Sequence, residues 1–424
     1  MKKSKLITLA LCAFALVGCG NGGGTGSSSE NGTSNPSSNT GPKENVELTL
    51  WGPSAHNDLL KDMAERFKQA NPDKNYTINV GVCGEADAKG NVTKDVEAAA
   101  DVYGFANDQL VDLVRAGGLA QVGGAYKQDV INSNMPTSVT AASIGDKLYG
   151  YPYAADNGYF MYYNKAVLGN TTGNLNDILD LCAAQGKKFT MSIVDAFYTA
   201  SFFLGAGCSF NVEYDENLYE KTIECNFDNA DGLVAGKAMM YLNGHAGFRN
   251  GKDADILAGF QDGSVVAAVS GTWNGPAIRE KLGDNYAAVK LPTITVDGRT
   301  FQMGSFDGFK IMGVNPTSAH LADAHKLAAF ITSESMQLLR FESQEIGPSN
   351  INAAATEQVK NNVAVAAVTA QREFATPQVS VPSNFWTSLE AFGTEVNSGK
   401  VTESNLQIKL STMVQLIKSA AAIS

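Results

Sequence analysis

The sequence predicts an α/β protein with two domains. Strand-like and helix-like stretches alternate throughout residues 46–424, which favours an α/β architecture over a β-sandwich or a helix bundle. The chain has 424 residues, enough for two or three domains at about 150 residues each. No long linker interrupts residues 46–424, so we expect two domains that exchange chain segments rather than follow one another.

The composition excludes two broad classes. Apolar residues make up 44% of the chain, so residues 46–424 are not intrinsically disordered. Charged residues make up 18%, and the net charge is −11. A surface this acidic repels phosphate backbones and anionic lipids, which argues against nucleic acid as a partner.

The N-terminus resembles a bacterial lipoprotein signal. Lys2, Lys3 and Lys5 precede a short apolar run at residues 6–17, and Gly18 precedes Cys19. The run is too short for a permanent membrane span. The resemblance implies removal of residues 1–18 and acylation of Cys19. The alternative is an ordinary secretory signal followed by an incidental cysteine.

The segment after Cys19 predicts a tether. Of residues 20–45, 23 of 26 are Gly, Asn, Ser, Thr or Pro, a composition that cannot bury an apolar core. Its r.m.s. reach is about 25–30 Å. We therefore expect residues 19–45 to hold the folded part near the extracytoplasmic face of the cell membrane, attached only through the lipid.

The folded part begins with a predicted strand, helix and strand. Residues 46–51 alternate polar and apolar side chains, and the helix from Asn57 carries an apolar face of Leu59, Leu60, Met63 and Phe67. A strand at 76–82 completes a βαβ unit, and a strand at 101–106 leads into a helix from Asp108. An aromatic-rich extended region is predicted at 148–153 and 159–163, and the later predicted strands are 264–270, 286–291 and 309–314. The later predicted helices are 174–184, 196–205, 230–242, 254–260, 276–282, 320–332, 336–341, 361–370 and two C-terminal segments.

Cysteines and histidines offer no metal or redox motif. Cys83, Cys182, Cys208 and Cys225 contain no CxxC pair, and the histidines are scattered, so we expect no metal. Cys208 and Cys225 flank a predicted hairpin and are either a disulfide or two free thiols. Phosphate-loop, dinucleotide and GxSxG signatures are also missing, so we expect no cofactor and no enzyme activity.

Aromatic residues at loop edges indicate a ligand with flat apolar faces. Trp51, Trp273 and Trp386 lie where predicted strands end or helices begin. Core packing is the ordinary role of a tryptophan, but Gly271 and Gly275 surround Trp273 in a turn that buries little. Sugar rings present flat C–H faces edged by hydroxyls, and hydroxyls need strong acceptors.

Carboxylates beside aromatics are the candidate acceptors. Asp108, Asp156 and Asp195 each follow a predicted strand, at the end where open α/β sheets bind ligands. The other interpretation of Asp108 and Asp195 is helix capping, and the two roles are compatible.

Several motifs in order resemble a known family. They are DVYGFAND at 101–108, YPYAAD at 151–156, YNK at 163–165, GTW at 271–273, LP at 291–292 and FW at 385–386. Together with the signal and tether, they resemble the extracellular sugar-binding proteins of ABC importers, in particular the maltose/maltodextrin-binding branch (family 1 solute-binding proteins).

The resemblance implies a two-lobed fold with interleaved lobes and a hinge. It assigns 46–155 plus 305–355 to the N-terminal lobe and 156–304 plus 356–424 to the C-terminal lobe. It also implies a monomer that captures an oligosaccharide, such as a maltodextrin, between the lobes and delivers it to the permease subunits of an ABC importer. The alternatives are a non-carbohydrate solute for such an importer and a surface-anchored glycoside hydrolase.

The resemblance also implies the sugar contacts. Asp108, Asp156 and Asp195 match carboxylates that bond sugar hydroxyls. Trp273 and Trp386 match stacking tryptophans. Phe105 and Phe197 stand where the family has a Trp and a Tyr, respectively. Gln109 stands where the family's maltose binder has an Arg. Trp51 is expected near the cleft floor.

Overall fold

Two β-sheets organise the computed structural model of this chain, which describes residues 42–379 and 381–419. The predicted signal peptide at 1–18, the predicted lipidation site Cys19 and residues 20–41 of the predicted tether lie outside the described residues. Within the described residues, no helix is both long and apolar enough to cross a membrane.

The strands alternate with helices along the chain. The strands are β1 Asn45–Gly52, β2 Asn75–Val82, β3 Val102–Ala106, β4 Ser143–Ile144, β5 Lys147–Leu148, β6 Tyr151–Asn157, β7 Phe160–Asn164, β8 Lys188–Met191, β9 Phe210–Tyr214, β10 Glu220–Cys225, β11 Phe248–Asn250, β12 Val265–Ser270, β13 Tyr286–Val289, β14 Thr293–Val296, β15 Arg299–Gln302, β16 Ser305–Val314 and β17 Ala375–Pro377.

The helices cover both sheets. They are α1 Asn57–Ala70, α2 Ala88–Val92, α3 Leu110–Arg115, α4 Gly124–Ser133, α5 Pro136–Ala141, α6 Lys165–Leu168, α7 Leu175–Ala184, α8 Ala196–Ala206, α9 Ala230–Gly244, α10 Asp253–Asp262, α11 Gly275–Leu282, α12 Leu321–Ile331, α13 Glu334–Gln344, α14 Ile351–Ala354, α15 Glu357–Lys360, α16 Val363–Gln371, α17 Phe385–Asn397 and α18 Leu406–Lys418.

The first sheet has the strand order β17-β16-β3-β1-β2, and β6 also pairs with β16. The predicted βαβ unit is confirmed, because β1 and β2 pair in parallel from Asn45 with Asn75 to Gly52 with Val82. Helix α1 buries the predicted apolar face, including Met63 and Phe67. It starts at Asn57 as predicted, although from its sequence Asn57 is also expected to cap the helix, whereas the capping position is His56, which makes no side-chain cap hydrogen bond.

The second sheet has the strand order β11-β8-β12-β7-β13. Strands β8, β11 and β12 run parallel, whereas β7 pairs antiparallel with β12 and β13. Strand β12 is buried along its whole length, as expected for a strand covered on both faces.

Each sheet has its own hydrophobic core, and the chain passes between them repeatedly. The core of the first sheet draws on residues from Val46 to Ala154 and from Ile311 to Ile346. The core of the second sheet draws on residues from Tyr159 to Phe306 and from Val381 to Ile417. The α/β class and the two-lobed, interleaved fold are therefore confirmed, while the exact lobe boundaries stay a prediction.

The predicted hairpin around residues 215–217 is present as β9 and β10. Its register pairs Cys225 with Phe210. Cys208 precedes β9, and its Sγ donates a hydrogen bond of 3.8 Å to Oδ1 of Asn229. Cys208 and Cys225 are consequently two free, buried thiols, and the disulfide alternative is not the one present.

Candidate functional site

A cleft of about 740 Å³ lies between the two sheets. Its walls come from loops at the carboxyl ends of parallel strands, the edge at which open α/β sheets bind ligands. The lining residues are Pro53, Ala55, His56, Glu85, Ala86, Ala106, Asp108, Gln109, Asn157, Asp195, Ala196, Phe197, Tyr198, Asp253, Trp273, Asn274, Lys310, Gln378, Trp386 and Glu390.

The strand ends explain why these distant residues meet. On the side of the first sheet, His56 follows β1, Glu85 follows β2 and Asp108 follows β3. On the side of the second sheet, loops after β8, β11 and β12 present Asp195, Asp253 and Trp273. Helix α17 adds Trp386 and Glu390 to the same wall.

Three of the predicted aromatic residues form one group in the cleft. The Phe197 ring lies 6.4 Å from the rings of both Trp273 and Trp386, measured between centroids. Phe306 stacks on Phe197 at 5.7 Å and meets Trp386 edge-on at 5.4 Å. The partly buried rings therefore form a continuous apolar wall with faces available to a ligand.

Two contacts fix the orientation of Trp273. Its indole Nε1 donates a hydrogen bond of 3.1 Å to Oδ2 of Asp253. The ring also folds over Gly271, where an added Cβ would lie 2.0 Å from ring atom Cζ3. The short loop after β12 thus holds the platform rigidly, and only glycine fits beneath it.

Asp108 connects the cleft wall to the segment after β17. It lies in a 3-10 turn directly after β3, and its Oδ1 accepts a hydrogen bond of 3.0 Å from Nε2 of Gln378. Burial raises the pKa of Asp108 to about 7, against smaller lowering effects that include Lys89 and a hydrogen bond from Trp386. Near neutral pH, Asp108 is therefore present both as a carboxylate, which only accepts hydrogen bonds, and as a carboxylic acid, which also donates one.

The position of Asp195 is compatible with both of its predicted roles, helix capping and ligand binding. Its Oδ1 caps α8 by accepting a hydrogen bond of 3.0 Å from the Phe197 backbone N–H, and the residue also lines the cleft. Burial raises the pKa of Asp195, and the nearby carboxylate of Glu390 adds to that rise.

Four residues that the sequence analysis missed form a charged cluster on the side of the first sheet, and two of them, Glu85 and Lys310, line the cleft. Tyr153 donates a hydrogen bond of 2.6 Å to Oε1 of Glu85, and the buried Arg340 guanidinium lies 4.5 Å from the Tyr153 ring centroid. Burial favours the neutral acid of Glu85, but Lys310 and the bond from Tyr153 outweigh burial and lower its pKa. Glu85 lies just after β2. The criterion that selected Asp108, a carboxylate that follows a predicted strand, would therefore also have selected Glu85.

His56, also missed, lines the cleft beside this cluster. Burial lowers its pKa to about 4, so the imidazole is neutral at pH 7. Its Nδ1 is buried without a hydrogen-bond partner among the described residues.

Three predicted ligand residues lie outside the cleft lining. Phe105 is fully buried in the core of the first sheet, because β3 is covered on both faces. Trp51 packs over Gly81 of the neighbouring strand β2, where an added Cβ would lie 2.8 Å from its ring. Neither ring therefore lines the cleft, and a contact of either with the ligand stays a prediction.

Asp156 has a structural position instead of the predicted one. It is 1% exposed and accepts hydrogen bonds of 2.6 Å from Thr272 Oγ1 and from the Gly347 backbone N–H. It joins the end of β6 to the loop that carries Trp273.

Gln109 lines the cleft, but its amide is committed to the protein. Nε2 donates to the carbonyl oxygens of Glu85 and Ala86, and Oε1 accepts from the Lys89 backbone N–H. These bonds position the loop that carries Glu85.

A group of metal-type side chains lies away from the cleft. Glu44, His320 and Asp323 bring their ligand atoms within 4.8 Å of one another. The Lys74 ammonium already lies 3.0 Å from Oε2 of Glu44 and 2.8 Å from Oδ2 of Asp323. A lysine therefore supplies the positive charge at this position.

Comparisons with known proteins match this architecture. The family described as Bacterial extracellular solute-binding protein matches residues 62–367. The galactooligosaccharide-binding protein of Bacillus subtilis (strain 168) is 26% identical over 388 residues, covering 85% of this chain and 89% of its own length. A solved structure with acarbose is 30% identical, has a TM-score of 0.81 and covers 89% of this chain and 99% of its own. The maltodextrin binding protein MalE1 from L. casei BL23, solved without ligand, is 24% identical with a TM-score of 0.74, covering 88% of this chain and 99% of its own.

Proposed function

Since the chain belongs to the bacterial extracellular solute-binding proteins, we propose that it captures a neutral oligosaccharide in the cleft and delivers it to an ABC importer. The observation that carries this proposal is the wall formed by Phe197, Trp273 and Trp386, with carboxylates of Asp108 and Asp195 in the same cleft.

The chemistry of the wall fits sugar rings. Aromatic faces remove the flat C–H faces of a sugar from water, and carboxylates accept strong hydrogen bonds from its hydroxyls. Asp253 and Glu390 add further acceptors on the side of the second sheet. A relative that binds galactooligosaccharides and a 30% identical structure with acarbose support an oligosaccharide as the ligand class.

The position of the cleft fits capture by closure of two lobes. Asp108 and Glu85 come from the first sheet and Trp273 from the second, so a ligand in the cleft contacts both. Such a ligand stabilises the closed state, because only that state forms both sets of contacts. We propose that residues 46–155 plus 305–355 and residues 156–304 plus 356–424 move as the two lobes of a monomer.

Binding without turnover is part of this proposal. Asp108 has the raised pKa that a glycosidase acid needs. Its Oδ1, however, is held by Gln378, and the family is of the solute-binding type. We expect the sugar to be recovered intact.

Delivery requires a fixed location at the membrane. We propose that residues 1–18 are removed, that Cys19 carries the lipid and that residues 20–45 tether the lobes beside the permease subunits. Replacing the acylated residue, Cys19→Ser, is expected to move the protein from the membrane fraction to the medium. Retention of the variant in the membrane fraction contradicts the anchor.

A sugar panel tests the proposed function. The full chain, purified in a detergent without a sugar headgroup, is heated with maltotriose, galactotriose or spermidine, and the sugars are then analysed by chromatography. We expect one sugar to raise the melting temperature and to return uncleaved, because a ligand that binds only the native state stabilises it. A shift with spermidine alone supports the non-carbohydrate alternative, and cleaved sugar supports the hydrolase.

A further inference from the structure

Lys310 is a charged residue in the middle of an apolar strand. It lies in β16 between Phe309 and Ile311 and pairs with Ala106 of β3 and Ala154 of β6. Its side chain is 6% exposed, and it lines the cleft. A lysine is seldom buried to this extent unless its charge is paired.

The Lys310 ammonium has a charge partner only at longer range, because its attraction lowers the pKa of the Glu85 carboxyl without a direct contact between the two groups. Among the residues that the structure describes, none forms a hydrogen bond or an ion pair with its Nζ. The groups that face it are Glu85 and His56 on the side of the first sheet and Trp273 on the opposite wall, whose ring centroid lies 5.6 Å from Nζ. Glu85 interacts with it electrostatically, but its Oε1 takes the hydrogen bond from Tyr153.

The Nζ donors of Lys310 have no hydrogen-bond acceptor among the described residues, and an oxygen of a ligand in the cleft would supply one. The open side of Lys310 is the cleft itself, in front of the Trp273 ring. The lining is otherwise rich in acceptors, with carboxylates from Asp195, Asp253 and Glu390. Lys310 therefore favours a ligand oxygen that accepts a hydrogen bond, whereas the carboxylates favour ligand hydroxyls that donate one.

We propose that Lys310 is a ligand-binding residue whose ammonium donates a hydrogen bond to an oxygen of the sugar ring stacked on Trp273. This inference rests on the proposed function and assigns a specificity contact within the same cleft. The carboxylates nearby repel a negatively charged sugar, so the oxygen belongs to a neutral ring, as a hydroxyl, ring or glycosidic oxygen.

The placement also couples this contact to closure. Lys310 belongs to the first sheet and Trp273 to the second. A sugar ring that contacts both residues forms the two contacts only when both walls are close to it, so the loss of either contact lowers the contribution of the other.

Calorimetry on the full chain tests the assignment, with maltotriose and galactotriose as probes and trigalacturonate as the charged counterpart. Lys310→Met keeps the length of the side chain and removes the charge. We expect it to bind the sugar preferred by the wild type about ten- to a hundredfold more weakly, the range for a hydrogen bond to a charged group. The matched control is Lys290→Met, because Lys290 lies over Phe374 outside the cleft lining, and its affinity is expected within twofold of the wild type.

Two further measurements separate a ligand contact from a folding effect. Without sugar, Lys310→Met is expected to remain folded at the temperature of the calorimetry but to melt below the wild type, because Glu85 loses a cation that lowers its pKa. The double variant with Trp273→Ala is expected to lose less affinity than the product of the two single losses. Unchanged affinity in Lys310→Met, or tighter binding of trigalacturonate than of both neutral sugars by the wild type, overturns the proposal. Failure of the wild type to bind either neutral sugar overturns the proposed function and this assignment with it.

Discussion

The indole of Trp273 is held by the carboxylate of Asp253, through a hydrogen bond of 3.1 Å from Nε1 to Oδ2. Asp253 begins helix α10, and its Oδ1 also accepts a bond of 3.2 Å from Ser270 Oγ at the end of β12. One carboxylate thus ties the aromatic platform to the strand that precedes it.

Removing this carboxylate is expected to loosen the platform. Asp253→Ala should weaken sugar affinity about five- to tenfold, because a hydrogen bond to a charged group contributes about 1.5–3 kcal/mol and part of it is recovered by relaxation. Asp253→Asn keeps an acceptor for Nε1 and should lose less. Calorimetry measures both variants against the exposed control Asp284→Asn, and equal affinity in Asp253→Ala contradicts the positioning role.

The three tryptophans provide a test with an internal control. Trp273→Ala and Trp386→Ala are each expected to weaken sugar affinity by at least about tenfold, as aromatic anchors do. Trp51→Ala should bind sugar within twofold of the wild type, because Trp51 packs over Gly81 outside the cleft lining. A loss of affinity in Trp51→Ala alone reverses the assignment.

Trp386 also contributes to stability. Its ring centroid lies 5.4 Å from that of Phe306 and 5.1 Å from that of Phe385. Trp386→Ala is therefore expected to lower the melting temperature of the free protein by several degrees, for a loss of about 2 kcal/mol. Trp273→Ala, whose ring is held mainly by one hydrogen bond, should lower it less.

Gly271 tests the platform without touching the ligand. A Cβ at this position would lie 2.0 Å from the Trp273 ring, so Gly271→Ala must displace the ring. We expect an affinity loss of roughly tenfold. Gly244→Ala is the control, since an added Cβ there meets no atom within 4 Å. Full affinity in Gly271→Ala contradicts the requirement for a fixed ring.

Asp108 gives a pH dependence with a defined sign. Its pKa in the folded protein, about 7, lies above the ordinary 3.8, so the native state holds this proton more tightly than the unfolded state does. The contribution of Asp108 to the free energy of unfolding is therefore present at low pH and falls as the pH rises from 3.8 to about 7.

Asp108→Asn removes this dependence. Relative to the wild type, the variant should gain stability between pH 5 and pH 8, as measured by urea unfolding without sugar at both values. Because the other titrating groups are shared, the difference between the two proteins reports Asp108. A difference that does not change with pH contradicts the raised pKa.

Local sequence patterns predicted the elements whose stability is local. The apolar spacing of Leu59, Leu60, Met63 and Phe67 predicted α1, and the alternation at 46–51 predicted β1. Strand β8, with only Lys188–Met191, was missed, since a short buried strand has no periodicity of its own. The β14–β15 hairpin was missed although Thr293–Val296 alternates polar and apolar residues, because each of its strands has only four residues.

Site residues in loops at the ends of strands could be predicted from the sequence. Site residues whose orientation depends on the packing of a sheet could not. Trp273, Trp386 and Asp195 stand at entries to helical segments, and their sequence neighbours already indicated exposure. Phe105 and Ala106 project to opposite faces of β3, and a strand buried on both faces gives no pattern that tells which face meets the cleft. Lys310 lies near Glu85 and Trp273 only in the folded protein, because the three residues belong to segments that are far apart in the sequence.

The most direct test of sugar binding is a crystal structure of the full chain with the sugar that raises its melting temperature, maltotriose or galactotriose. We expect a sugar ring on the face of Trp273, with hydroxyls at Asp108 or Asp195 and an oxygen within hydrogen-bonding distance of Lys310 Nζ. The structure has another cavity of about 480 Å³, lined by residues such as Met135, Val365 and Val368. Sugar in that cavity, or sugar in the cleft without contact to Trp273, would contradict the proposed site.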